Sequence, residues 1–167
     1  MTSSIKKLPY GFTLIELVVT VAILAILASV AMPMLQLTVQ RVKESELRAN
    51  LRQIREAIDA YKKAVDEGKI AKNIDQSGYP PSLETLVDGV VDVKDPGKRK
   101  LKFLRKIPAD PMRTSLQSND DYGQKEDHWG LRSYASEFDQ PREGEDVYDI
   151  YSLSQQTGFN GVPYSQW

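Results

Sequence analysis

Glu16 is the only ionisable side chain in residues 11–35, and none of the nineteen residues from Leu17 to Leu35 is charged. As a helix rising about 1.5 Å per residue, that run is ~28 Å long, close to the ~30 Å of a hydrocarbon core. A carboxylate at the edge of such a run can form an ion pair. Left alone in lipid it costs about 2.5–3.5 kcal/mol on insertion scales, so something must compensate it. Other groups able to do chemistry are few. His128 is the only histidine, and the chain has no cysteine. That excludes disulfides, thiol nucleophiles, zinc-thiolate sites and cysteine-attached haem. No serine stands in a nucleophile-elbow sequence. Asp110, Asp120, Asp121, Glu143, Glu145, Asp146 and Asp149 are numerous enough for a metal site or an acid/base pair, but their spacing selects neither and matches no EF-hand loop. The expectation is a protein that is not an enzyme.

The element that must position Glu16 is one long helix, expected over residues 12–67. Its first part, 12–35, is apolar on all sides and reads as a membrane and assembly segment. Pro33 lacks a backbone N–H and is expected to kink or open the helix locally. Beyond it, Leu47, Leu51, Ile54, Ile58, Tyr61 and Val65 recur at alternating steps of four and three, the spacing of one apolar face. Glu44, Arg48, Arg52, Glu56, Asp59 and Lys63 are assigned to the opposite, solvated face, with Glu44–Arg48 and Asp59–Lys63 spaced as i,i+4 ion pairs. Gly68 is placed as the C-cap. The apolar stripe packs on the chain's own domain, with a parallel coiled-coil dimer as the alternative.

Residues 36–167 then form a compact head that includes the amphipathic half of the helix. Tyr79-Pro80-Pro81 is loop chemistry, and Ser82 is a plausible N-cap for a short helix ending near Gly89. Residues 94–102 read as a charged loop in which Lys98, Arg99 and Lys100 form a solvated face. Phe103, Leu104 and Ile107 are expected to pack inward, and residues 112–128 to form a polar surface loop. Strand signals occur only at 130–135 and 147–153, with an acidic turn between them. The predicted fold class is α+β: a long N-terminal helix packed on a small antiparallel sheet, with Trp167 anchoring the final loop. Of 167 residues, 22 are basic and 23 acidic, a net charge of −1 that supplies no electrostatic reason to expect nucleic acid.

The residues Lys6, Lys7, Gly11, Phe12, Thr13, Leu14, Ile15 and Glu16 resemble the class III signal of type IV pilins and type II secretion pseudopilins. Pro33 falls where such subunits commonly carry a proline. In the head, Tyr79-Pro80, the segment Ile107-Pro108-Ala109-Asp110-Pro111, Trp129-Gly130, the run 148–152 and the glycine-containing final loop resemble the major pseudopilins of type II secretion in order. The resemblance implies a leader at 1–11, cleavage by a prepilin peptidase between Gly11 and Phe12, and methylation of Phe12. Glu16 is then implied to meet the amino terminus of a neighbouring subunit during assembly. It further implies a type IV pilin-like fold and a bacterial inner-membrane protein with a single span. Lys6 and Lys7 would be cytoplasmic before processing and the head periplasmic. The implied partners are copies of itself in a filament that drives protein export, minor pseudopilins and an inner-membrane assembly platform. No cofactor is required. Many members bind Ca²⁺ through acidic side chains in the final loop, whereas this loop carries Gln155, Gln156 and Asn160. Asp146 and Asp149 would have to reach it, so weak Ca²⁺ binding or none is expected.

Other readings remain open at this stage. An ordinary signal peptide would use Ser29-Val30-Ala31 as its cleavage site. An uncleaved anchor would give Glu16 no role, and a glutamate near the membrane surface could snorkel. A type IV or competence pilin, or a membrane-tethered periplasmic binding module, would keep the same anchor and head.

Overall fold

A computed structural model describes residues 11–113 and 129–167, which fall into two compact units, one ending at Arg41 and the other running Val42–Trp167. Lys6, Lys7, His128 and most of the expected loop at 112–128 lie outside the described residues.

Helix α1 spans Leu14–Asp66, within two residues of the expectation at either end. Its start is set by Thr13, whose carbonyl accepts the Leu17 N–H at 3.1 Å and whose Oγ1 accepts the Glu16 N–H at 3.3 Å. A threonine acting this way satisfies donors that a helix N-terminus otherwise leaves open. The helix assignment continues through position 33, so the proline does not end it, and the Pro33 side chain lies outside the described residues.

In the first unit the described apolar side chains are exposed, Phe12, Leu14, Ile23 and Leu27 among them. The helix is long and apolar enough to cross a membrane by length and composition. Three hydroxyls of this first unit bond within the helix. Thr20, Ser29 and Thr38 donate to the carbonyls of Leu17, Ile26 and Met34 at 2.9, 2.7 and 3.0 Å. In hydrocarbon, where no water can serve as partner, this keeps those polar groups paired.

In the second unit the predicted stripe is the core. Leu47, Leu51, Ile54, Ile58, Tyr61 and Val65 are buried, joined by Ala57 and Ala64. Fully burying side chains of this size stabilises by about 1.5–3 kcal/mol each. α1 ends in a Schellman motif at Gly68, φ +69°, with Gly68 N–H donating to the Val65 carbonyl and Lys69 N–H to the Ala64 carbonyl. The i,i+4 ion pair on this helix is Lys62–Asp66 at 2.5 Å. The predicted Glu44–Arg48 and Asp59–Lys63 pairs do not form among the described residues.

Helix α2 spans Leu83–Asp88, flanked by Ser82 and Gly89 as expected, and buries Leu83 and Leu86. The segment expected to be a charged loop keeps that character between two short strands, the second of which takes up Lys100–Leu101 at its end. β1 (Val90–Val91) and β2 (Lys100–Leu101) run antiparallel with Val90 opposite Leu101. Gly89, φ +77°, must be glycine, because a Cβ there would stand 2.7 Å from the Leu101 carbonyl oxygen. Between the strands, Asp95 accepts the backbone N–H groups of Gly97 and Arg99 at 3.2 Å and the Arg99 Nε–H at 2.7 Å. The Arg99 side chain, then these backbone bonds, hold the Asp95 carboxyl below its ordinary value. Lys98, Arg99 and Lys100 are exposed, as expected.

β3 (Gly130–Arg132) and β4 (Asp149–Tyr151) pair antiparallel as predicted but are shorter than the runs that signalled them. The ladder stops because Asp146 captures the chain beyond it. Asp146 Oδ1 accepts from Ser133 Oγ and from the Tyr134 N–H at 2.9 Å, while the Ser133 N–H turns to the Arg142 carbonyl. Among the described residues the head carries two two-stranded sheets rather than one. Ile150, Val147, Leu104, Met112, Trp129 and Tyr164 close the core against α1, with Phe103 and Ile107 partly buried on it.

Candidate processing and assembly site

Gly11, Phe12 and Thr13 precede α1, and all three are exposed. A Cβ built on Gly11 meets nothing within 4 Å, so packing among the described residues creates no demand for glycine there. Phe12 is 81% exposed, and Glu16 is exposed in the first helical turn. The Thr13-Leu14-Ile15-Glu16 string is itself a start signal, since threonine followed three residues later by glutamate is the capping-box pattern. Thr13 is thus a functional residue that reasoning from charge alone passes over, although its spacing to Glu16 reveals it. The bond at Thr13 uses the backbone N–H of Glu16, and the Glu16 side chain is exposed.

The second candidate region is the final loop. Asp149 is committed to arginines: Oδ1 accepts Arg55 Nε–H at 2.7 Å and Oδ2 accepts Arg132 at 3.2 Å. Asp146 accepts from Ser77, Ser133 and Tyr134, as a brace between loops. Asn160 Oδ1 accepts the nearby Val162 N–H at 3.1 Å, and Gln156 is exposed. These four residues do not present the free, converging oxygens that a hard cation selects. No group of three or more His, Cys, Asp or Glu is gathered among the described residues.

What does meet the loop is α1. Glu44 is buried, and its Oε1 accepts the Phe159 N–H and the Tyr164 O–H, each at 2.9 Å. This corrects its placement on the solvated face. Glu44 precedes Leu47 by three residues, so the stripe's own alternation of three and four puts it inward, and its charge hid that register. Arg48 lies over the Trp167 ring at 4.3 Å, and Arg55 donates to the backbone oxygens of Trp167 and Ile150 at 2.8 and 3.1 Å. Trp167 packs edge-on against Tyr164, which anchors the loop as the sequence led us to expect.

Comparison with known proteins adds a shared origin to this geometry. Residues 7–32 match the family described as "Prokaryotic N-terminal methylation motif". The chain is 32% identical over 111 residues to the type II secretion system core protein G of Pseudomonas aeruginosa, covering 64% of this chain and 70% of that protein. It is 44% identical over 112 residues to the type IV major fimbrial protein FimA of Dichelobacter nodosus, covering 63% and 67%. The type IV major pilin PilE1 of Neisseria gonorrhoeae is 30% identical over 133 residues, covering 78% and 68%. No solved structure matches the chain.

Proposed function

This chain belongs to the pilin-like family that includes the type II secretion core protein G and the type IV major pilins, and on that premise we propose that it is the repeating subunit of a periplasmic pseudopilus. Its role is structural, and catalysis is assigned to no residue. The observation that carries the reading is the junction at Gly11. An exposed glycine that nothing in the fold requires stands directly ahead of Phe12 and a capped apolar helix, inside the stretch that matches the methylation motif. A glycine with no internal reason to be glycine suits an external reader, here a prepilin peptidase that cuts between Gly11 and Phe12.

The proposed sequence of events follows from the chemistry. The subunit waits in the inner membrane with its head in the periplasm. Cleavage removes Lys6 and Lys7 and leaves an amine on Phe12 that methylation keeps cationic. Glu16 of a neighbouring subunit then offsets that charge as apolar helices pack together. One face of a subunit meeting a different face of the next yields an open helical polymer rather than a closed ring. Minor pseudopilins and an inner-membrane platform complete the machine.

The test is intact mass and amino-terminal sequencing of the full chain recovered from membranes. The expected product starts at methylated Phe12, and Gly11→Val should leave full-length precursor. A terminus at Met32, after Ser29-Val30-Ala31, would overturn the proposal. The similarity to FimA and PilE1 supports a second reading, a pilus on the cell surface. Loss of the gene separates the two: failed export with unchanged surface filaments supports the pseudopilus, and lost filaments with normal export supports the pilus.

A further inference from the structure

We infer that the closing loop of the head, residues 155–167, is clamped to α1 by Glu44, Arg48 and Arg55 and requires no divalent cation to hold it.

The polarity of the contact carries the argument. A loop built around Ca²⁺ turns oxygens toward a common centre, about six to eight of them with carboxylates included. This loop turns donors toward the helix. The Phe159 N–H and Tyr164 O–H both point at Glu44 Oε1, an arrangement complementary to an anion and of the wrong sign for a cation. Where the loop does present electron density, α1 meets it with arginine. The Trp167 carbonyl accepts from Arg55, and the Trp167 ring lies under Arg48. Positions 44, 48 and 55 are separated by four and seven residues, so one side of the helix carries the whole clamp.

Several of the loop's other polar groups bond within it. Gly158 N–H donates to the Val162 carbonyl at 3.0 Å, Gly161 N–H to the Gly158 carbonyl at 2.9 Å, and Tyr164 N–H to the Gln156 carbonyl at 3.1 Å. Thr157 and Pro163 form an isolated antiparallel bridge that pinches the base. Trp167 Nε1 donates back to the Val162 carbonyl at 3.3 Å. Asp149, a carboxylate the sequence offers as a possible ligand, is paired with the same Arg55 that grips Trp167. Arg55 thereby joins β4 to the loop.

The inference concerns the fold of the head, so it can fail while the filament reading stands, and the reverse. Full-length protein in detergent micelles is melted by near-ultraviolet circular dichroism with excess calcium chloride and with excess EGTA. The midpoints are expected to coincide, and a midpoint raised by calcium would overturn the inference. Limited proteolysis then reads the loop directly. Glu44→Ala should speed cleavage within 155–167 by about tenfold or more, the loss expected when a buried charged partner is removed, and Arg55→Ala, which removes a partly exposed one, should speed it by a smaller factor. Cleavage at the wild-type rate in both variants would equally overturn it. Glu44→Gln keeps the shape and one acceptor oxygen, so a folded variant with intermediate cleavage is expected even if the alanine variant does not fold. Wild-type cleavage in a folded Glu44→Gln protein would count against the role of the charge.

Discussion

Ser152 donates its hydroxyl to Asp110 Oδ2 at 2.6 Å, and both residues are buried, so the segment before the undescribed stretch is tied to the end of the second sheet. Asp110 Oδ1 also accepts the Met112 N–H at 2.8 Å. Two further bonds hold the same segment, Asn50 to the Ala109 carbonyl at 3.0 Å and Trp129 Nε1 to the Pro108 carbonyl at 2.8 Å. Asp110→Ala strands a hydroxyl and an amide in the interior. A destabilisation of about 1–3 kcal/mol per orphaned group is expected. The thermal midpoint of the full chain in detergent checks this, and an unchanged midpoint would mean that water replaces the carboxylate.

Ile54 is fully buried at the centre of the α1 stripe. Ile54→Asp places an unpaired carboxylate there, and a loss of several kcal/mol is expected. Near-ultraviolet circular dichroism should show the head unfolded or melting far below wild type. A variant that melts normally would place this face against something other than the head's own core.

For Glu16 the structure sharpens an assembly test. The Thr13 cap uses the Glu16 backbone N–H, which alanine retains, so Glu16→Ala should leave the helix start and membrane insertion intact. An ion pair at ~4 Å contributes about 4 kcal/mol at an effective dielectric near 20, comparable to the cost of inserting the carboxylate. Processing at Gly11 should therefore continue while filament yield and reporter export fall steeply. Assembly at the wild-type rate would end the charge-pair account.

The Asp95 loop makes a prediction about pH. Its carboxyl is held below the ordinary value of 3.8, first by Arg99. A depressed folded value means the loop's contribution is complete above the unfolded carboxylate range and disappears as pH falls through the folded value. Carbonyl-detected NMR should find Asp95 titrating below 3.8, and Arg99→Ala should move it back up. No change on substitution would assign the shift to the backbone bonds of Gly97 and Arg99 alone.

The helical part of the fold was legible because its signals are local and repeated. Six apolar residues in register from Leu47 to Val65, together with Gly68, placed α1 and its end, and Ser82 with Gly89 placed α2. β1 and β2 were not legible, since two-residue strands have no period to read. Glu44 was misplaced because charge was weighed above register. Arg55 and Asp149 lie 94 residues apart, and nothing local in either neighbourhood announces that they meet. At the processing end, the Gly11-Phe12 junction and Glu16 were readable as a pattern. Thr13 was readable from its three-residue spacing to Glu16 and was passed over because charge drew the reading to the glutamate.

Gly130 sits in β3 opposite Tyr151, and a Cβ there would stand 2.3 Å from the tyrosine ring. The absent side chain works as a keyway. Sliding the strands by one residue would put Leu131 under the ring and turn the Ile150 face away from the core, and sliding by two would put Arg132 there. Only one alignment seats the ring. Three-residue strands offer too few ladder bonds to choose their own partners, so alignment in this sheet is decided by a single vacancy. An error in it would be felt at once by Asp149, and through Arg55 by the loop that closes the head.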